Sequence, residues 1–134
     1  MSVSAANPEL ARSVLDAWNA GDVEAIAALC HPEYELRTSG VYPGLKPVYH
    51  GRAGFREFWW DWAELWEGLI LDVEELWAEG ERVLALLTFR ARGRDGVEVH
   101  RPAASLSVAR DGLVFRQSMF GSWEEGRQAA DLDD

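Results

Sequence analysis

Apolar positions follow two regimes along the chain, helical spacing through the first half and strand-like runs through the second. Leu10, Val14, Leu15 and Trp18 recur at three- and four-residue intervals behind Asn7-Pro8-Glu9, which supply a cap residue, a proline suited to the first helical position and an acid in the first turn. This predicts a helix that Gly21 stops in a left-handed cap. Asp22 then caps a shorter helix carrying Val23, Ile26, Ala27, Leu29 and Cys30, which His31-Pro32 ends because the residue before proline avoids the helical region. Tyr34, Leu36 and Thr38 alternate as a brief strand. Ser39 to Gly51, with Gly40, Pro43, Gly44 and Pro47 inside it, reads as a loop. From Arg52 to Trp66 the positions Phe55, Phe58, Trp59, Trp62, Leu65 and Trp66 form an apolar stripe opposite Arg56, Glu57, Asp61 and Glu64, an amphipathic helix with Gly68 placed to stop it.

Beyond Gly68 the pattern predicts four consecutive antiparallel strands, at roughly 69–78, 82–93, 97–109 and 113–121. Turns at Glu79-Gly80, Asp95-Gly96 and Asp111-Gly112 separate them. A long, twisted meander of this kind curls around whatever packs on its concave face. Within 97–109 the apolar residues switch from odd (Val97, Val99) to even (Leu106, Val108), which implies a bulge near Pro102. Ser122-Trp123-Glu124-Glu125 is a capping box for a short closing helix. The segments 1–6 and 131–134 are expected to be flexible ends. The expected class is α+β, with helices segregated from an antiparallel sheet.

Composition narrows the partners. A chain of 134 residues, 48% hydrophobic and 27% charged, fits one folded domain with a real core. Thirteen Lys plus Arg stand against 23 Asp plus Glu, a net charge of −10, with no basic run. Nucleic acid and anionic membrane are therefore poor partners. No apolar run approaches the roughly 18 residues that span a bilayer, and Met1 to Asn7 has no apolar segment behind it, so a cytoplasmic location is expected. One cysteine, Cys30, permits neither an intrachain disulfide nor a cysteine-based zinc site. Seven tryptophans, three of them at Trp59, Trp60 and Trp62, suggest that something large and apolar is enclosed.

Several short motifs, in order, carry a resemblance. These are Trp18-Asn19-Ala20-Gly21-Asp22 between the first two helices, Tyr49-His50-Gly51-Arg52 leading into Phe55-Arg56-Glu57-Phe58, Arg110-Asp111-Gly112 in the last hairpin, and Phe120-Gly121 before the closing segment. Over nearly its whole length the chain resembles the nuclear transport factor two-like superfamily, within it the SnoaL-like and ketosteroid-isomerase-like group. That resemblance implies a cone-shaped barrel, a curved antiparallel sheet wrapped around the long third helix, with an apolar cavity open at one end. It also implies a homodimer formed through part of the sheet. Members of the superfamily isomerise steroids, cyclise polyketides, hydrolyse epoxides, dehydrate small aromatics or only bind partners.

Ketosteroid isomerase chemistry needs a carboxylate base, with a tyrosine and a neutral aspartic acid to stabilise the oxyanion. The matching positions hold Val14 for the tyrosine, Thr38 for the base and Ala103 or Ala104 for the acid. Valine and alanine neither donate to an oxyanion nor move a proton, so this activity is not expected. Nor do His100, Pro102 and Arg116 supply the carboxylate–arginine–carboxylate arrangement of an epoxide hydrolase of this fold.

The remaining candidates have two readings each. His100, on a strand beside Arg101 and Glu98, is the best single acid/base candidate, or it makes a hydrogen bond at a strand edge. SnoaL-like cyclases resemble metal-free catalysts using a histidine and an aspartate, and no aspartate here matches the second role. Arg116 and Ser118 share a face with Phe120 that the resemblance turns toward the cavity, or Arg116 points outward. Trp59 and Trp62 are expected as pocket walls, Phe55, Phe58 and Trp66 as core, and Trp60 at a rim or interface. The expected ligand pocket is Trp18, Tyr34, Thr38, Trp59, Trp62, Phe89, Ser105, Arg116, Ser118 and Phe120. Glu57, Asp61 and Glu64 read as a solvated helix face, and no cofactor or metal site is expected, Cys30-His31 and His50 lacking ligand spacing. The function expected is binding of a small hydrophobic or polyketide-like molecule, with metal-free acid/base chemistry as its enzymatic form. A non-enzymatic ligand-binding or protein-interaction module is the alternative.

Overall fold

A computed structural model describes residues 6–39 and 44–130. The expected flexible ends lie outside the described residues, Ala6 apart, as do Gly40 and Pro43 of the expected loop. Helices α1 (Ala6–Ala20) and α2 (Val23–Leu29) are followed by strands β1 (Cys30–Arg37) and β2 (Val48–His50), then helix α3 (Gly51–Ala63). The meander β3 (Trp66–Glu79), β4 (Arg82–Gly93), β5 (Glu98–Arg110) and β6 (Leu113–Phe120) leads into α4 (Trp123–Ala129). The six strands form one sheet in the order β2-β1-β6-β5-β4-β3.

The local signals act as their chemistry dictates. Asp22 accepts from the Ala25 backbone N–H at 3.1 Å and Ser122 from that of Glu125 at 3.1 Å, each meeting a donor that the first helical turn leaves unpaired. Asp111 and Gly112 both take positive φ, 56° and 75°, the twist that a two-residue hairpin between β5 and β6 needs. Asn7 is not a cap, since it lies inside α1, and its side chain donates instead to the Gly80 carbonyl at 3.0 Å.

Five expectations change. The sheet is mixed, because β1 runs parallel to β6, while the meander itself is antiparallel. That pairing extends β1 back through His31-Pro32 to Cys30, which sits opposite Val114. The loop contains β2, paired with β1 through Leu36 and Tyr49. Helix α3 ends at Ala63, and Trp66 already belongs to β3, opposite Gly93, with Gly68 in a register shift rather than a helix stop. There is no bulge at Pro102, since β4 and β5 pair without a shift from Arg82↔Val108 to Arg92↔Glu98.

The apolar parity of β5 switches for another reason, namely that the sheet is covered on both faces. Val83, Ala85, Leu87 and Phe89 of β4 are buried on the concave face, toward α1 and α3. Leu84 and Leu86 are buried on the convex face, where α4 covers them together with Ala104, Leu106 and Phe120. Helix α4 sits so close that a Cβ at Gly126 would meet the Ala104 Cβ at 2.5 Å. The concave core is aromatic. Trp18 of α1 contacts Phe58 edge-on at 5.8 Å between centroids and Trp62 at 5.9 Å, and Trp62 meets Phe89 at 5.6 Å.

Candidate ligand cavity

Between α1 and the concave face of the meander lies a cavity of about 70 Å³. Val14 and Trp18 form its helical wall, Trp62 and Phe89 one aromatic side, and Leu36, Ala103 and Met119 part of the sheet wall. Indole and phenyl groups occupy much of the cone, and this is why the free space is small. Glu81, exposed at the rim, is the titratable side chain among the lining residues.

A polar relay crosses one wall. The Tyr34 hydroxyl, on a fully buried side chain, donates to Gln117 Oε1 at 2.8 Å, and Gln117 Nε2 donates to Ser105 Oγ at 3.1 Å. Gln117 and Ser105 line the cavity. Burial pushes the Tyr34 phenol well above its usual range, so it acts as a neutral hydrogen-bond donor. Ser105 accepts from Gln117, and with no donation from its hydroxyl to the described residues its proton is available to a carbonyl or hydroxyl oxygen in the cavity. Neighbouring Ser107 instead donates to the Val83 carbonyl at 3.4 Å.

The structure distributes the expected residues unevenly. Trp18, Trp62, Phe89 and Ser105 line the cavity, and Phe120 reaches it while packing under α4. Tyr34 stands behind the wall, at the end of the relay. Thr38 is buried and donates to the Lys46 carbonyl at 2.8 Å, fixing the turn before β2 rather than facing a ligand. Trp59 lines a neighbouring cleft of about 260 Å³ with Trp18, Trp62 and Trp66. Trp60 is 61% exposed.

His100 and Arg116 are corrections. His100 is exposed on the convex face, opposite Arg90 in the β4–β5 ladder, on the same side as the Arg90–Asp72 ion pair. Arg116 is also exposed, 4.0 Å from Glu35 and over the Phe115 ring at 5.5 Å. The cause is a bulge in β6. Val108 pairs with Arg116 while Ala109 pairs with Val114, so Phe115 is an extra residue and the parity beyond it reverses. Gln117 and Met119 thereby face inward, and Arg116 and Ser118 outward. Sequence reasoning missed Gln117. Its one signal was the alternation Val114, Gln117, Met119, readable only once the bulge is known.

Elsewhere the Tyr49 hydroxyl donates to Asp61 Oδ2 at 2.7 Å and accepts from the Lys46 backbone N–H at 2.9 Å, so Asp61 is a structural acceptor and not part of a solvated face. Burial of the ring pushes the Tyr49 phenol up to about 12. Among the described residues no group of three His, Cys, Asp or Glu side chains is placed to hold a metal ion, and no helix is long and apolar enough to cross a membrane.

A curved sheet closed on its concave side by helices around an apolar lumen defines the nuclear transport factor two-like α+β cone. Within that class the chain belongs to the SnoaL-like domain family, which it matches over residues 11–117. Its fold is similar to that of TerC, crystallised with polyporic acid, at 22% identity with a TM-score of 0.81, covering 95% of this chain and 99% of that one. An NTF2-like protein of unknown function from Burkholderia pseudomallei K96243 superposes with a TM-score of 0.83 at 17% identity, over 93% and 97% of the two chains. A candidate polyketide cyclase from Xanthomonas campestris pv. campestris gives 0.78 at 20% identity, over 96% and 97%. No curated protein matches the chain in sequence.

Proposed function

We propose that the chain binds a small hydrophobic molecule bearing at least one carbonyl or hydroxyl oxygen, held between Trp18, Trp62 and Phe89 with that oxygen on the Ser105 hydroxyl. The observation that carries this is the Tyr34–Gln117–Ser105 relay, which ends in a hydroxyl lining a mostly apolar cavity. Apolar walls supply affinity, and one oriented donor fixes the pose. A volume of about 70 Å³ is below the roughly 300 Å³ at which drug-sized pockets begin, so a ligand larger than one ring enters with outward movement of α1.

Binding is favoured over catalysis because the lining offers one titratable group, Glu81, at the exposed rim. Cyclase-type acid/base chemistry is the second reading. The Xanthomonas relative favours it, and in that reading the neutral Tyr34 phenol would act through Gln117 and Ser105. Self-association through the convex face of β3–β5 beside α4 accompanies either reading. That face carries the exposed ion pairs Arg90–Asp72 and Arg92–Glu98 around His100.

The test is titration with 1,4-naphthoquinone, 2-naphthol and polyporic acid, followed by tryptophan fluorescence and melting temperature. Saturable quenching with a rise in Tm is expected, weakened about tenfold in Ser105→Ala, the scale of one hydrogen bond to an oriented donor. Absence of saturation with all three ligands, or equal binding by Ser105→Ala, would sink the proposal.

A further inference from the structure

The cleft beside the cavity is a second site of different chemistry. It opens where α1 ends, between Gly21, the last turn of α3 and the start of β3, with a volume of about 260 Å³. Four indoles line it. Trp18 lies 5.0 Å from Trp59 and 5.9 Å from Trp62, and Trp62 lies 6.0 Å from Trp66, all between centroids. Successive rings are inclined at 59°, 86° and 56°, so they turn around a hollow instead of stacking flat. Trp59 and Trp66 do not line the cavity described above.

The charge in the cleft lining itself is negative. Glu67 is the charged side chain in the lining, exposed at the rim and without an ion pair among the described residues. The carboxyl end of α1 also faces the cleft through Ala20 and Gly21, and no basic residue stands in its last turn. The negative pole of that helix is therefore uncompensated by its own side chains. Helix α3 ends there too, but Arg94 donates to the Ala63 and Glu64 carbonyls at 2.7 and 3.1 Å, so this guanidinium is spent on α3. The chain as a whole carries −10, which draws cations toward any such opening.

We propose that this cleft binds a methylated ammonium, a small quaternary or tertiary amine cation, over the faces of the indoles with Glu67 as counter-ion. Indole is the strongest of the side-chain rings in attracting a cation to its face. The selectivity follows from what the walls lack. A primary ammonium needs acceptors for three N–H groups, and a hard metal ion needs several oxygens. Here the Asn19 amide is already committed to Leu71, and the Glu67 carboxylate is the one other polar side chain in the lining, beside the last carbonyls of α1. A quaternary cation has no N–H to satisfy, a tertiary one has a single N–H that Glu67 can accept, and both lose less by leaving water than a primary ammonium does.

The experiment titrates the full chain with choline, tetramethylammonium and 3,3-dimethylbutan-1-ol, the neutral isostere of choline, by calorimetry. Saturable binding of both cations is expected, at least about tenfold tighter than the alcohol, as a desolvated cation–π contact provides. Trp66→Leu should weaken choline about tenfold, and Glu67→Gln about threefold. Glu67 is exposed, so its variant keeps the test valid if Trp66→Leu fails to fold. Ser105→Ala should leave choline binding unchanged, which separates this site from the cavity. Equal affinity for the alcohol, indifference to Glu67→Gln, or no saturation up to about 10 mM, well beyond the millimolar end of specific affinities, overturns the proposal.

Discussion

The Tyr34 hydroxyl on β1 donates to Gln117 Oε1 on β6 at 2.8 Å, across a parallel pair in which Leu36 is the register partner of Gln117. A buried phenol needs an acceptor and a half-buried amide oxygen needs a donor, so each residue explains the other. Tyr34→Phe keeps the ring against Phe55 but strands the amide oxygen, and should cost about 1 kcal/mol in urea unfolding. Gln117→Leu strands the phenol in the same way. The double variant removes both polar groups and should recover part of the loss, giving a coupling of roughly 1 kcal/mol in a double-mutant cycle. Strict additivity would show that the two groups do not act as a pair.

His100 and Arg116, the two side chains whose chemistry stands out most in the sequence, lie outside the cavity. His100→Ala and Arg116→Ala should each leave cavity-ligand affinity within about a factor of two and change stability by less than about 0.5 kcal/mol, as exposed substitutions generally do. A tenfold loss of affinity in either variant, measured by the fluorescence titration, would return that residue to the site.

These two residues also show where the sequence stops being legible. Caps and turns act through side chains a few positions apart, so Asp22, Ser122 and Asp111-Gly112 could be read directly. The apolar stripe of α3 was equally plain, and with the motif order it was enough for the fold. The inward face of β6 was not. It depends on a bulge at Phe115 that exists only relative to β5, a pairing no local pattern records. Likewise Leu106 looks like a parity error until α4, arriving from the end of the chain, covers the convex face. Trp66 continues the helical stripe in sequence but pairs with Gly93 in space, because a strand partner outweighs a helical propensity.

Cys30 provides a pH test. Burial pushes its thiol up to about 12, and it donates to the Ile26 carbonyl with the sulfur at 3.4 Å. Below about pH 8 both folded and unfolded thiols are protonated and the full stability is present. Above that the unfolded thiol ionises while the folded one does not, so stability falls as pH rises toward 12, where the folded thiol ionises too. By pH 10.5 the loss from this one group is about 2 kcal/mol. Tyr34 and Tyr49, also raised, add to the same alkaline decline. Cys30→Ala should therefore show a smaller drop in unfolding free energy between pH 7 and 10.5 than the parent. An identical drop in both proteins would show that Cys30 does not contribute.

Asn19 closes the edge of the sheet. Strand β3 is the last in the order, so part of its backbone has no strand neighbour on one side. The Asn19 side chain supplies what is missing at Leu71, donating from Nδ2 to the carbonyl at 2.9 Å and accepting at Oδ1 from the N–H at 2.9 Å. One amide thus imitates a strand residue and ties the carboxyl end of α1 to the edge, while Asn7 ties the other end to Gly80. Since α1 forms one wall of the cavity, these two contacts bear on how readily it opens. Asn19→Ala should cost about 1–2 kcal/mol for the two hydrogen bonds and expose a template for edge-to-edge pairing. The expected readouts are faster hydrogen exchange at the Leu71 amide, a faster association rate for the cavity ligand, and concentration-dependent aggregation. Exchange at Leu71 unchanged from the parent would mean that α1 is held by its apolar contacts alone and that the amide pairing carries no weight.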